Sequence, residues 1–113
     1  MPDNPIEKFV ASLDLAVLAG KIEYQSDSIV SQTLLKDETG TVTLFAFDRG
    51  QGLSEHTTPF AATVHVLDGE AQISIDGTPL TVTAGQQIVM PAYHSHALQA
   101  DRRFKMLLVM EKA

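Results

Sequence analysis

Histidine carries most of the chemistry this sequence offers. There are four, His56, His65, His94 and His96, and there is no cysteine. Without cysteine the chain has no disulfide, no thiolate metal ligand and no sulfur nucleophile. An imidazole can ligate a metal through a lone pair, exchange a proton near neutral pH, or orient a polar ligand. His94 and His96 are two residues apart, and on an extended segment both point to the same side. His65 lies between Val64 and Val66; with the valines turned to a core, alternation turns His65 outward, toward a subunit interface. Other chemistries lack their residues. No G-x-S-x-G elbow presents a serine nucleophile, and no glycine loop ahead of a helix cradles phosphate. Gly50-Gln51-Gly52 reads more simply as a strand break.

Strands must position these side chains. One helix is expected over residues 1–20: Asn4 caps it, Pro5 suits its first position, and Glu7 completes a capping-box spacing. Ile6, Phe9, Val10 and Leu13 fall on one face, which packs on the remaining domain or on a second subunit, and Gly20 stops it. From Ile22 onward the pattern is β. Strands are expected at Ile29–Leu35, Thr41–Asp48, Ala61–Leu67, Ala71–Ile75, Thr78–Thr83, Ile88–Met90, Ser95–Gln99 and Phe104–Met110. Turns separate them at Asp37–Gly40, Asp68-Gly69, Asp76-Gly77 and Ala84-Gly85, and Asp76-Gly77 is the strongest hairpin signal. Eight or nine short strands after one helix make an all-β domain over residues 21–113, a sandwich, jelly roll or barrel.

Composition narrows the partners. With 113 residues, 44% of them hydrophobic and 19% charged, the chain is one globular domain with a real core. A net charge of −6 repels phosphate backbones and anionic lipid, which argues against nucleic acid and membrane surfaces. No window reaches the ~20 apolar residues of a membrane span, and residues 1–10 carry no basic run followed by an apolar stretch. The expected location is the cytoplasm.

Two segments carry a resemblance. Gly52-Leu53-Ser54-Glu55-His56-Thr57-Thr58-Pro59-Phe60 leads into Val66-Leu67-Asp68-Gly69-Glu70, and Gly85-Gln86-Gln87-Ile88-Val89-Met90-Pro91-Ala92-Tyr93-His94-Ser95-His96-Ala97-Leu98 follows the hairpin. Together they resemble the two motifs of the cupin superfamily, RmlC-like barrels of the cupin 2 conserved-barrel type. The H-T-x-P-F and F-K-M-L-L stretches are similar to a group of small single-domain bacterial cupins with no settled function. The resemblance covers roughly residues 40 to 110 and implies a double-stranded β-helix, a jelly-roll cupin barrel, behind the short N-terminal helix. It also implies a pocket inside the barrel. Many cupins hold a divalent metal there with three histidines and a glutamate. Mapped residue by residue, the first histidine is His56 and the last His96, whereas Thr58 and Ala62 stand where a histidine and the glutamate are expected.

Two readings of the pocket therefore stand side by side. Without metal, His56 and His96 are hydrogen-bonding groups that orient a small-molecule ligand, with Thr58, Phe60, Tyr93, His94 and Met106 beside them. With metal, His56, His94 and His96 form a three-histidine site for one divalent transition ion (Zn, Fe, Ni or Mn) with open positions. Three functions follow: a small-molecule-binding protein, a metal-dependent enzyme of the dioxygenase or isomerase type, or a ligand-sensing module. The helical stripe and exposed strand edges lead us to expect a homodimer.

Overall fold

The expected helix breaks in two because of one side chain. In the computed structural model, which describes residues 5–112, α1 spans Pro5–Ala11 and α2 spans Leu15–Leu18. Asp14 between them is extended (φ −95°, ψ 101°), and its carboxylate accepts the amides of Ala16 at 3.1 Å and Val17 at 3.4 Å. An aspartate that satisfies the free amides of a new helical turn starts a second helix rather than extending the first. The proposed Asn4 cap lies outside the described residues. The helix stops close to the expected position: α2 ends at Leu18 with Ala19 as its C-cap, and the Gly20 amide donates to the Val17 carbonyl at 3.1 Å.

Eight antiparallel strands follow: β1 Ile29–Asp37, β2 Gly40–Phe47, β3 Gly52–His56, β4 Phe60–Ile75, β5 Thr78–Thr83, β6 Gln87–Met90, β7 His96–Gln99 and β8 Phe104–Lys112. They pair in the order β1-β2-β8-β4-β7-β3, with β5 and β6 also on β4. The Asp76-Gly77 turn has positive φ at both central residues, 51° and 80°, as the tight hairpin requires. Two strand assignments change. Gly52–His56 forms β3 although it lacks β-branched residues, because its partner β7 supplies the ladder. Asp68-Gly69 does not end a strand. It is a bulge, marked by a register shift against β8, through which the 16-residue β4 continues. The first half of β4 pairs with β6 and β8, and its second half with β5 and β7, so the bulge passes one strand from one sheet to the other and closes the barrel.

Apolar residues fill two layers. Phe47, Val64, Val66, Phe104 and Met106 belong to the barrel interior, where Phe47 and Phe104 stack at 4.5 Å. The alternate residues Val42, Leu44, Ala46, Leu107 and Val109 belong to an outer layer with Ile6, Leu18 and Ile22. Strands β2 and β8 are thus covered on both faces, which is why Phe104–Met110 reads as a nearly unbroken apolar run. The stripe of α1 belongs to this outer layer, with Phe9, Val10 and Leu13 packed against it, so it is occupied by the chain's own barrel. Ile6 is fully buried. Ile6→Ala is expected to cost about 2–4 kcal/mol in urea unfolding; a loss below about 0.5 kcal/mol would mean that the helices add little to the barrel.

Candidate functional site

Antiparallel pairing brings the two key rings together. His56 ends β3, His96 begins β7, and the two are cross-strand partners although 40 residues apart in the chain. Their ring centroids are 4.4 Å apart at 72°, and the two Nε2 atoms approach to 3.1 Å. His96 is buried, only 4% exposed, while His56 sits in the open at the barrel mouth.

The hydrogen bonds constrain the protons. His56 Nδ1 lies 2.7 Å from the Ser54 carbonyl, which can only accept, so Nδ1 carries the hydrogen and Nε2 of the neutral ring is a bare lone pair. His96 then has two neutral choices. With its hydrogen on Nε2 it donates to His56 but leaves Nδ1, which is buried and has no hydrogen-bond partner, as an orphaned acceptor. With its hydrogen on Nδ1, two Nε2 lone pairs face each other across 3.1 Å. Either way the pair is incomplete, and buried polar groups are seldom left so.

The rings open into a small, mainly apolar cavity of about 40 Å³, lined by His56, Thr58, Ala62, Met90, His96 and Met106 together with Leu53, Leu98, Leu108 and Met110. By volume it takes an ion or on the order of three waters, far less than the ~300 Å³ or more of a typical organic-ligand pocket. No carboxylate lines it.

Of the seven residues anticipated for a pocket, His56, Thr58, His96 and Met106 line this cavity, and Phe60, Tyr93 and His94 do not. Phe60 opens β4 beside Lys112. Tyr93 is 73% exposed. His94 is the main correction to the three-histidine arrangement. Residues 91–95 are not extended: Tyr93 has φ +66°, so the two-residue alternation fails there. His94 Nδ1 donates instead to Asp76 Oδ2 at 2.6 Å on the hairpin, with both side chains about half exposed. That hydrogen bond holds the Asp76 carboxyl below the usual carboxylate range. Two further hydrogen bonds reinforce this link: Asp76 N donates to the Ser95 carbonyl at 2.8 Å, and Ser95 N to the Asp76 carboxylate Oδ1 at 3.2 Å. Among the described residues no three histidine or carboxylate side chains gather as a metal-binding group. Thr58 is also committed. Its hydroxyl donates to the Phe60 carbonyl at 3.1 Å and accepts the Phe60 amide at 3.2 Å, so its proton is not available to a ligand.

Sequence reasoning placed Met90 at a strand end, without linking it to the rings, and it did not single out Leu53, Leu98, Leu108 or Met110 for the pocket. The alternation Phe104, Met106, Leu108, Met110 could have found the last two, since all share the face of Met106. His65 points away from the interior, as alternation requires, and lies half-buried beside Leu15 and Ala16 of α2.

Burial pushes the His96 ring below the usual histidine range, and the neighbouring His56 adds to this, while a His94 backbone contact that falls short of hydrogen-bond geometry opposes it. Burial pushes His65 the same way. A histidine whose folded pKa is depressed binds more protons when unfolded. Its stabilisation is therefore present above the ordinary pKa near 6.5 and is lost as pH falls through the folded value. Melting temperature is expected to fall by a few degrees between neutral pH and pH ~5.5, and His96→Asn should flatten part of that fall. A melting temperature flat across this window would contradict the burial of both rings.

An antiparallel barrel with two motif-like segments and paired imidazoles at one mouth defines a class of small jelly-roll proteins. Residues 43–110 match the cupin domain family, and the chain belongs to it. A conserved protein of unknown function from Streptococcus pyogenes is 40% identical, with a TM-score of 0.82 over 89% of this chain and 86% of that one. A cupin 2 conserved barrel domain protein from Leptotrichia buccalis is also 40% identical (TM-score 0.81); the match covers 83% of this chain but 46% of that protein. A cupin superfamily protein from Desulfitobacterium hafniense is 28% identical, with a TM-score of 0.81 over 85% of this chain and 88% of that one. No curated protein matches the chain. Among the described residues no helix is long and apolar enough to cross a membrane.

Proposed function

We propose that this cupin barrel binds a small ligand at its mouth through a metal ion held by Nε2 of His56 and Nε2 of His96. The observation that carries the reading is the pair itself: two ring nitrogens 3.1 Å apart, with the His56 Nδ1 hydrogen committed to the Ser54 carbonyl so that Nε2 of the neutral ring is a lone pair aimed at His96. A cation between the rings removes the opposition of the two Nε2 lone pairs. His96 can then keep its hydrogen on Nδ1, and both Nε2 lone pairs are used. Metal–nitrogen bonds of about 2.0–2.1 Å are compatible with that separation. The Ser54 carbonyl orients His56 as second partners of metal-bound histidines do.

The cavity volume sets the ligand class. Space for an ion and a few water-sized atoms suits water, dioxygen or one carboxylate or hydroxyl end of a larger molecule whose body stays at the mouth. A bound ion supplies Lewis acidity and open coordination positions. The protein supplies orientation through two imidazoles and a dry apolar wall that strengthens electrostatic contacts. An enzyme built on three histidines has less support, because His94 is held by Asp76. The outer edge of β1 is the place we propose for pairing in a cytoplasmic homodimer, since it ends the strand order; a monomer mass by light scattering rejects that pairing.

Elemental analysis of protein purified without chelators or metal-charged resin tests the main proposal. Near-stoichiometric transition metal that is absent from the His56→Ala/His96→Ala double variant supports it. Less than about a tenth of an equivalent, together with no binding on titration with Zn(II) or with Cu(I), rejects it.

A further inference from the structure

Three of the chain's four methionines line the cavity that holds the two imidazoles. The cross-strand register explains their arrangement. Ala62 at the centre of the wall is directly opposite Met90 on one side and Met110 on the other. Met106 precedes Met110 on the same face of β8. Ala62 carries only a methyl group, so the two long side chains flanking it meet little obstruction. Met90 and Met106 are buried, at 2% and 0% exposure.

We infer that the site prefers a soft ion, Cu(I), and that thioethers from this methionine group complete the coordination begun by His56 and His96. The inference rests on the metal reading given above and assigns the ion's class. Donor chemistry decides it. Thioethers select Cu(I), imidazole accepts copper readily, and hard ions such as Mg, Ca and Mn call for carboxylate or carbonyl oxygen. The wall supplies two imidazoles and three thioethers and no carboxylate. The pocket is mainly apolar, which disfavours a hydrated, highly charged ion relative to a singly charged one. Methionine also serves as a core filler, and Met90, Met106 and Met110 belong to the apolar interior; the donor test below separates the two roles.

The test is anaerobic titration with Cu(I) against a chromophoric Cu(I) chelator, beside titration with Zn(II), on the wild type, Met90→Leu/Met110→Leu and Met106→Leu. Leucine keeps the volume and removes the sulfur, and such exchanges usually cost less than about 1.5 kcal/mol, so the variants should fold. X-ray absorption on Cu(I)-loaded wild type reads the donors without any variant. The expected result is a sulfur shell in the absorption spectrum. At least one methionine variant should lose about tenfold or more in Cu(I) affinity, with Zn(II) affinity little changed. A spectrum with nitrogen and oxygen donors only, or Cu(I) affinity unchanged in both variants, overturns the inference while leaving a two-histidine metal site intact. Failure of the wild type to bind either ion overturns the underlying metal reading itself.

Discussion

Replacing His96 by alanine is expected to lower Zn(II) affinity at least about 100-fold, and replacing His56 should do the same. Removing a group that only orients a metal ligand typically costs 10–100-fold, and these residues are the two nitrogen ligands of the proposed site. Their structural consequences differ. His56 stands exposed at the mouth, so His56→Ala should leave the melting temperature nearly unchanged while abolishing tight binding. His96 is 4% exposed, so His96→Ala also enlarges the cavity and should unfold a few degrees earlier. Equilibrium titration with Zn(II) beside thermal unfolding separates the two effects. If both variants bind Zn(II) as the wild type does, the ion is not held by the Nε2 pair.

Gly69→Ala is expected to destabilise the barrel by about 3 kcal/mol or more. Gly69 has φ +72°, where an L-residue with a Cβ loses roughly 1–2 kcal/mol. The added Cβ would also sit 2.0 Å from the Arg103 carbonyl oxygen, with the Phe104 Cα at 3.1 Å. Both are backbone atoms in the ladder where Gly69 pairs with Phe104, so relief means displacing β8 or opening the bulge that passes β4 between sheets. Gly77→Ala provides the control. Its φ is +80°, but nothing lies within 4 Å of the added carbon, so it should lose only the conformational part, about 1 kcal/mol. Urea unfolding of the two variants reads the difference directly. Equal losses would show that β8 yields at Gly69 and that the bulge is soft.

Local patterns in the sequence determined much of the fold. Alternation along Val64-His65-Val66 assigned faces correctly, because side chains in any extended segment alternate whatever their partners. Asp76-Gly77 announced its hairpin because its two positive φ values are a property of those residues. The two motif-like segments pointed to His56 and His96, but their approach to 3.1 Å is a matter of register between β3 and β7, which no local rule supplies. Tertiary structure alone decided the fate of His94. A left-handed residue at Tyr93 broke the alternation, and an aspartate eighteen residues earlier captured the ring. It also decided that Asp68-Gly69 is a bulge within one strand, since continuation depends on whether β8 and β5 offer ladders on either side. The size of the cavity belongs to the same category. Residue types foretold an apolar interior with two histidines, but how much space the side chains leave depends on how both sheets pack.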